Sequence, residues 1–162
     1  MITAIIILSV VVIVAVILYV RFGHKSYEKL SFRESVDLTG NPIIVFYNNG
    51  RKLNFLLDTG ANTSYINESE LETCTYTKKE GLTNNIGIEG NNRVLKSVQM
   101  PLYYKNQNYE ESFLVSDMSK AFNEVKAHSG VTLHGILGVT FFTNYEYVLD
   151  FQELVAYSKK KL

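Results

Sequence analysis

The sequence predicts an all-β domain behind one apolar helix. Three observations carry that reading. Residues 2–20 hold no charged side chain, whereas the chain after Ser31 is crowded with aromatic and β-branched residues in short runs, the composition of strands. Between two of those runs stands Asn48-Asn49-Gly50, which suits the mirror-image turns of a tight β-hairpin.

The apolar helix comes first. At about 1.5 Å per residue, residues 2–20 span roughly 28 Å, close to the hydrocarbon thickness of a bilayer. Tyr19 and Phe22 fall where interfacial aromatics belong. A cleaved signal peptide fits poorly. No basic side chain precedes the run, and no small-x-small pattern follows it, since the chain continues Arg21-Phe22-Gly23-His24-Lys25. Arg21, Lys25, Lys29 and Arg33 follow the span, so the positive-inside bias puts the C-terminal part in the cytoplasm. The expected organisation is a transmembrane anchor over 1–22, a juxtamembrane linker over 23–35 and a β domain over 36–162. This is a single-pass membrane protein touching lipid through residues 2–20, an arrangement that fits a bacterial inner membrane.

Within the domain, 36–38 reads as the start of a first strand and 42–47 as a strong second one. Residues 51–57 are its hairpin partner, and 67–72 a short helix or turn. Residues 86–95 read as a hairpin with a glycine-rich tip. Residues 98–104 pair with 111–115 around a turn at 105–108, and 117–125 has helical character. Then comes a terminal hairpin of 147–151 with 154–157.

The chemistry-bearing motif is Asp58-Thr59-Gly60-Ala61-Asn62, at the exit of the apolar run 53–57. Were such an Asp to face a second carboxylate across a water, the two could not both ionise at contact distance and would share a proton; one would act as base on the water, the other as acid on a carbonyl. Thr59 offers a hydroxyl to tie the loop, and Gly60 permits close approach and dihedrals that a side chain would forbid. Downstream lies His134-Gly135-Ile136-Leu137-Gly138.

Motif, spacing and order together resemble a retropepsin-like aspartic protease, the single-domain retroviral type, over roughly residues 31–159. The resemblance implies an acid-protease barrel with one or two short helices. It implies Asp58 as the catalytic residue, with Thr59, Gly60 and Ala61 supporting the loop. Ile136, Leu137 and Gly138 would form the strand beside it, 139–145 the short helix after that strand, and Ile88, Glu89, Gly90 and Asn91 the tip of a flap closing over a peptide or protein substrate. It implies no cofactor and no metal. Pepsin-like enzymes carry two such Asp motifs, and this chain has one, so the carboxylate pair requires a homodimer. Two positions depart from the retroviral pattern: Asn62, where many of those enzymes have Asp, and Val139, where many have Arg. Those charges form a buried ion pair there; losing both leaves no unpaired charge.

Other chemistries lack support. Sixteen basic and sixteen acidic side chains give zero net charge, and no basic cluster invites nucleic acid. Cys74 is the single cysteine, so no intrachain disulfide forms. His24, His128 and His134 lack metal-ligand spacing. Ser64 and Ser129 lack a hydrolase nucleophile's setting, and Gly87 and Gly90 lack the Lys-Ser/Thr ending of a phosphate loop. Asn62-Thr63-Ser64 is a glycosylation sequon inside the loop; a glycan there would block a cleft, which also favours the cytoplasmic side. Two other classes compete with the enzyme: a non-catalytic acid-protease-fold binding or assembly module, and a small-ligand binder.

Overall fold

The computed structural model describes residues 11–14, 29–86 and 92–158. The elements are β1 (Lys29–Ser31), α1 (Arg33–Thr39), β2 (Ile43–Asn48), β3 (Arg51–Leu57), β4 (Ser64–Asn67), a 3-10 turn (Glu68–Glu72), β5 (Thr77–Ile86), β6 (Asn92–Tyr104), β7 (Gln107–Ser116), α2 (Ser119–Ser129), β8 (Gly135–Leu137), α3 (Val139–Asn144), β9 (Tyr147–Asp150) and β10 (Val155–Ser158). The fold is mostly β, as expected, but with three short α-helices after β1 rather than one or two.

Period-two alternation builds the barrel. Ile44 and Phe46 of β2, and Leu53, Phe55 and Leu57 of β3, point inward, while Val45 and Tyr47 face out. The β2–β3 turn places Asn49 at φ 48° and Gly50 at φ 78°, the two left-handed residues that such a turn requires. The sheet runs β2-β3-β8-β4-β7-β6-β5, and Tyr47 of β2 bridges to Tyr103 of β6. That bridge closes six strands into a barrel and leaves β5 outside it. Inside, Phe46 meets the rings of Phe55, Tyr104, Tyr109 and Phe141 at centroid distances of 5.2–6.1 Å. Asn48 is fully buried, and both ends of its amide are used. It donates to the carbonyls of Thr75 (2.9 Å) and Pro101 (2.8 Å) and accepts from the Thr75 amide (2.7 Å). A smaller cluster of Ile43, Phe122 and Leu133 seats α2 on the barrel's outside.

Residues 29–35 differ from the linker expected there. Leu30 and Phe32 are 0% and 1% exposed and belong to the main core. β1 pairs antiparallel with β10, Leu30 opposite Ala156, and β10 pairs in turn with β9. The folded unit therefore starts before residue 36. Residues 36–38, expected to open a strand, lie in α1. Ser35 explains why: its hydroxyl donates to the Phe32 and Asn41 carbonyls and accepts the Ile43 amide, tying the helix to the start of β2. Gly40, at φ 71°, ends the helix.

The hairpin expected near the glycine-rich tip is the β5–β6 pair, longer than 86–95. The candidate flap residues Ile88, Glu89, Gly90 and Asn91 lie outside the described residues. So does the anchor expected over 2–20, save for residues 11–14, a helical turn whose Val11, Val12, Ile13 and Val14 are exposed. Among the described residues, no helix is long and apolar enough to cross a membrane.

The place of β1 can be tested. Leu30→Ala removes a fully buried side chain and should cost about 2–5 kcal/mol, read from the urea midpoint. A linker residue would change stability by less than about 0.5 kcal/mol.

Candidate active site

Three backbone segments meet at Asp58. β3 and β8 run parallel with Leu57 opposite Leu137, and the Asp58 amide continues that ladder by donating to the Leu137 carbonyl (3.0 Å). The loop then turns, with Ala61 N–H donating to the Asp58 carbonyl (3.2 Å), and β4 leaves antiparallel to β8. On the far side of Gly138, the Val139 amide donates to the Ala61 carbonyl (2.8 Å) and the Thr140 amide to that of Asn62 (3.3 Å). The loop is thus held by main-chain bonds on both flanks, at the two positions, 62 and 139, where a charged pair is missing.

The glycines permit this crossing. A Cβ on Gly138 would lie 2.3 Å from the Thr63 carbonyl oxygen and 2.7 Å from that of Ala61. One on Gly135 would lie 2.5 Å from the Tyr65 oxygen and 2.7 Å from the Phe55 ring. No side chain fits either place without moving backbone. Gly60 acts differently from the expectation. Its φ is not in the left-handed region; instead its amide donates to Asp58 Oδ1 (2.8 Å), and a Cβ there would sit 3.1 Å from that oxygen. Gly60 is therefore explained by contact with the carboxylate rather than by unusual dihedrals.

Asp58 is half-buried, and among the described residues its Oδ2 has no hydrogen-bond partner. Thr59 is exposed. Its hydroxyl makes no hydrogen bond among the described residues, so it does not tie the loop within one chain. Ala61 is half-buried and lends its carbonyl to Val139. Ile136 packs towards the α2 cluster, whereas Leu137 is wholly buried in the main core. The structure thus brings 58–61 and 136–138 together.

Glu111 is a site-adjacent residue absent from the sequence expectation. It is 1% exposed, and its Oε1 accepts a hydrogen bond from Ser64 Oγ (2.7 Å). Ser64 Oγ in turn accepts the Gly138 amide (3.2 Å). Burial pushes the Glu111 carboxyl up to about 7, with the Ser64 bond and Lys79 pulling the other way. Tyr145, beside it, is pushed up to about 12, chiefly by burial and then by the Glu111 charge. The signal was present in the strand pattern: alternation puts Glu111 on the same inward face of β7 as Tyr109 and Phe113.

His134 does not act as an exposed base. Its Nδ1 accepts the Asn54 amide (2.9 Å), and burial lowers its pKa. Burial raises the Cys74 thiol, against the pull of Arg51. Among the described residues no group of His, Cys, Asp and Glu could hold a metal ion.

The family model described as retroviral aspartyl protease matches residues 38–149. The chain belongs to the retroviral aspartyl protease family. EIAV protease complexed with the inhibitor HBY-793 shares the fold, at 24% identity over 68% of this chain and 93% of that one, with a TM-score of 0.50. The retroviral protease-like domain of Ddi1 from Leishmania major is 12% identical over 68% of this chain and 81% of its own, with a TM-score of 0.47. A retropepsin-like aspartic protease from Rickettsia conorii is 12% identical over 82% and 90%, with a TM-score of 0.46. No curated protein matches the sequence.

The Glu111 environment makes a stability prediction. Its folded value, about 7, lies above the ordinary 4.5. Between those values the unfolded chain has released a proton that the folded chain keeps. Stability from this group is therefore complete below about 4.5 and is lost as pH rises through 7, a change of about 3 kcal/mol. Glu111→Gln cannot ionise and should lose that slope when urea midpoints are compared at pH 4.5 and pH 8.

Proposed function

We propose that the protein is an aspartic endopeptidase whose catalytic pair is completed by Asp58 of a second copy. The observation that carries this reading is the half-buried Asp58 carboxylate. One oxygen is held by the Gly60 amide, and the loop is clamped by β8, while Oδ2 has no partner among the described residues. A scaffold has no use for a carboxylate presented in that way; acid–base chemistry does. One chain supplies one such Asp, and membership of the family supports pairing across a twofold axis.

In that dimer the two Asp58 carboxylates share one proton. The ionised one takes a proton from water as the water attacks the peptide carbonyl, and the protonated one gives its proton to the carbonyl oxygen. Proton return to the leaving amine then breaks the C–N bond. Thr59, whose hydroxyl is free among the described residues, is available to bond across the dimer. The β5–β6 hairpin would carry Ile88, Glu89, Gly90 and Asn91 as a lid over a bound peptide. No cofactor or metal takes part in this mechanism. Residues 2–20 would anchor the chain with the domain in the cytoplasm, and confinement to the bilayer would raise the effective concentration of monomers and favour the dimer.

Asp58→Asn should keep the fold and lower peptide hydrolysis by roughly 10²–10⁴-fold. Wild-type activity should peak on the acid side of neutral, because the pair needs one proton. Purified mutant that turns over peptide near the wild-type rate would remove Asp58 from the mechanism, and a folded, peptide-binding wild type without turnover would favour the binding-module reading.

The orientation is tested with reporters fused after Leu162. A phosphatase active only outside the cytoplasm should be silent, and a fluorescent protein that folds in the cytoplasm should be bright. The reverse pair of results would invert the topology.

A further inference from the structure

The Glu111 carboxyl lies on β7, far along the chain from the Asp58 loop, yet it ends a relay that reaches that loop. The Gly138 amide donates to Ser64 Oγ, and the Ser64 hydroxyl donates to Glu111 Oε1. Ser64 and Glu111 are 0% and 1% exposed. Gly138 is the residue whose backbone presses on Ala61 and Thr63, and its neighbour Val139 bonds the Ala61 carbonyl. Among the described residues Glu111 Oε2 has no hydrogen-bond partner, and the only other buried side-chain nitrogen or oxygen in that condition is Thr140 Oγ1, two residues beyond Gly138.

A buried carboxyl with one open oxygen is an expensive choice for a purely structural post. An apolar side chain would avoid the cost of the open oxygen, whereas removing one partner leaves the other unsatisfied. What a carboxyl adds is a change of charge at constant shape. We propose that Glu111, in its neutral form, is a positioning residue that holds Ser64 and Gly138 against the Asp58 loop, and that its ionisation loosens that loop. This rests on the proteolytic reading of Asp58 for its effect on turnover, but the relay itself does not.

The groups facing the carboxyl set the pH at which this happens. Burial raises it to about 7. From β5, Lys79 favours the charged form, while its ammonium is also engaged with Ser112 Oγ (2.6 Å). From the segment after α3, Tyr145 faces it, with its hydroxyl donated to the Glu110 carbonyl (2.9 Å). β6 places Met100 opposite it and adds no charge. From β4, Ser64 donates its hydroxyl to the carboxyl. The Ser64 bond favours the charged form, so the carboxylate keeps Ser64; drawn itself towards Lys79 and water, it pulls the Ser64 hydroxyl away from the Gly138 amide. That movement acts on the Gly138 amide through one hydrogen bond.

The test uses amide NMR and kinetics on the same proteins. In the Asp58→Asn chain, where no catalytic pair can titrate, the Gly138 and Gly60 amide shifts should still inflect near pH 7. In Asp58→Asn/Glu111→Gln they should be flat from pH 5 to 9. In the chain carrying Asp58, Glu111→Leu should lower kcat roughly 10- to 100-fold with KM little changed, as expected from a displaced reacting group. Glu111→Gln should recover most of that loss below pH 6 and hold a larger share of its own maximum at pH 8 than the wild type does. Identical amide titrations with Glu and Gln at position 111 would overturn the proposal. So would a Gln variant whose kcat falls with pH just as the wild type's does. A wild type lacking Asp58-dependent hydrolysis would instead overturn the enzymatic reading, and the NMR arm alone would then decide the relay.

Discussion

The structure depends on two places where backbone touches backbone. β8 threads between β3 and β4, parallel to one and antiparallel to the other, and it can do so only because Gly135 and Gly138 carry no side chain. Without that passage β3 and β4 have no common neighbour, the barrel opens, and the Asp58 amide loses the Leu137 carbonyl that fixes it. Close packing makes such a contact intolerant: a single added carbon inside van der Waals distance must displace main chain. The loop that presents Asp58 is therefore a by-product of how the barrel closes.

This explains how the domain manages without the charged residues that many retroviral enzymes carry at the positions of Asn62 and Val139. A buried ion pair is a costly way to hold a loop, and main-chain bonds can do the same at less desolvation cost. Here Val139 and Thr140 donate their amides to Ala61 and Asn62, so the loop is secured by groups that every residue possesses. The side chains at both positions are then free to vary, and neither is wholly buried: Asn62 is exposed, and Val139 is 36% exposed.

Much of this could be read from the sequence, for local reasons. Asn49-Gly50 forces a hairpin because both residues accept positive φ, and the flanking alternation fixes which face is buried. Asp58-Thr59-Gly60 and Gly135 to Gly138 were visible as motifs. What stayed hidden depends on partners distant in the chain. Leu30 and Phe32 are two apolar residues in a polar stretch, too few to announce a strand, and only β10 and Leu154 make them one. α1 has no side-chain N-cap to mark its start, so its valine and leucine read as strand. Ser64 lacks a nucleophile's sequence context, yet its hydroxyl joins Gly138 to Glu111. The inward-facing Glu111 was legible from alternation, but its meaning required the serine 47 residues earlier.

The three-stranded sheet has a consequence for how the chain acquires its fold. β1 is made before the barrel strands and β10 after them, yet Lys29, Leu30 and Ser31 find their partners only in Tyr157, Ala156 and Val155. During synthesis Leu30 and Phe32 must wait, uncovered, until all the barrel strands have been translated. Pairing of such distant segments carries a large loop-closure entropy and places this domain among the slower folders. The barrel can form first, because β2 and β3 are neighbours in sequence and β6 and β7 are as well. Its end, however, is sealed last. Through that interval the nascent chain offers an apolar strand edge to chaperones, to proteases and to its own neighbours on other ribosomes.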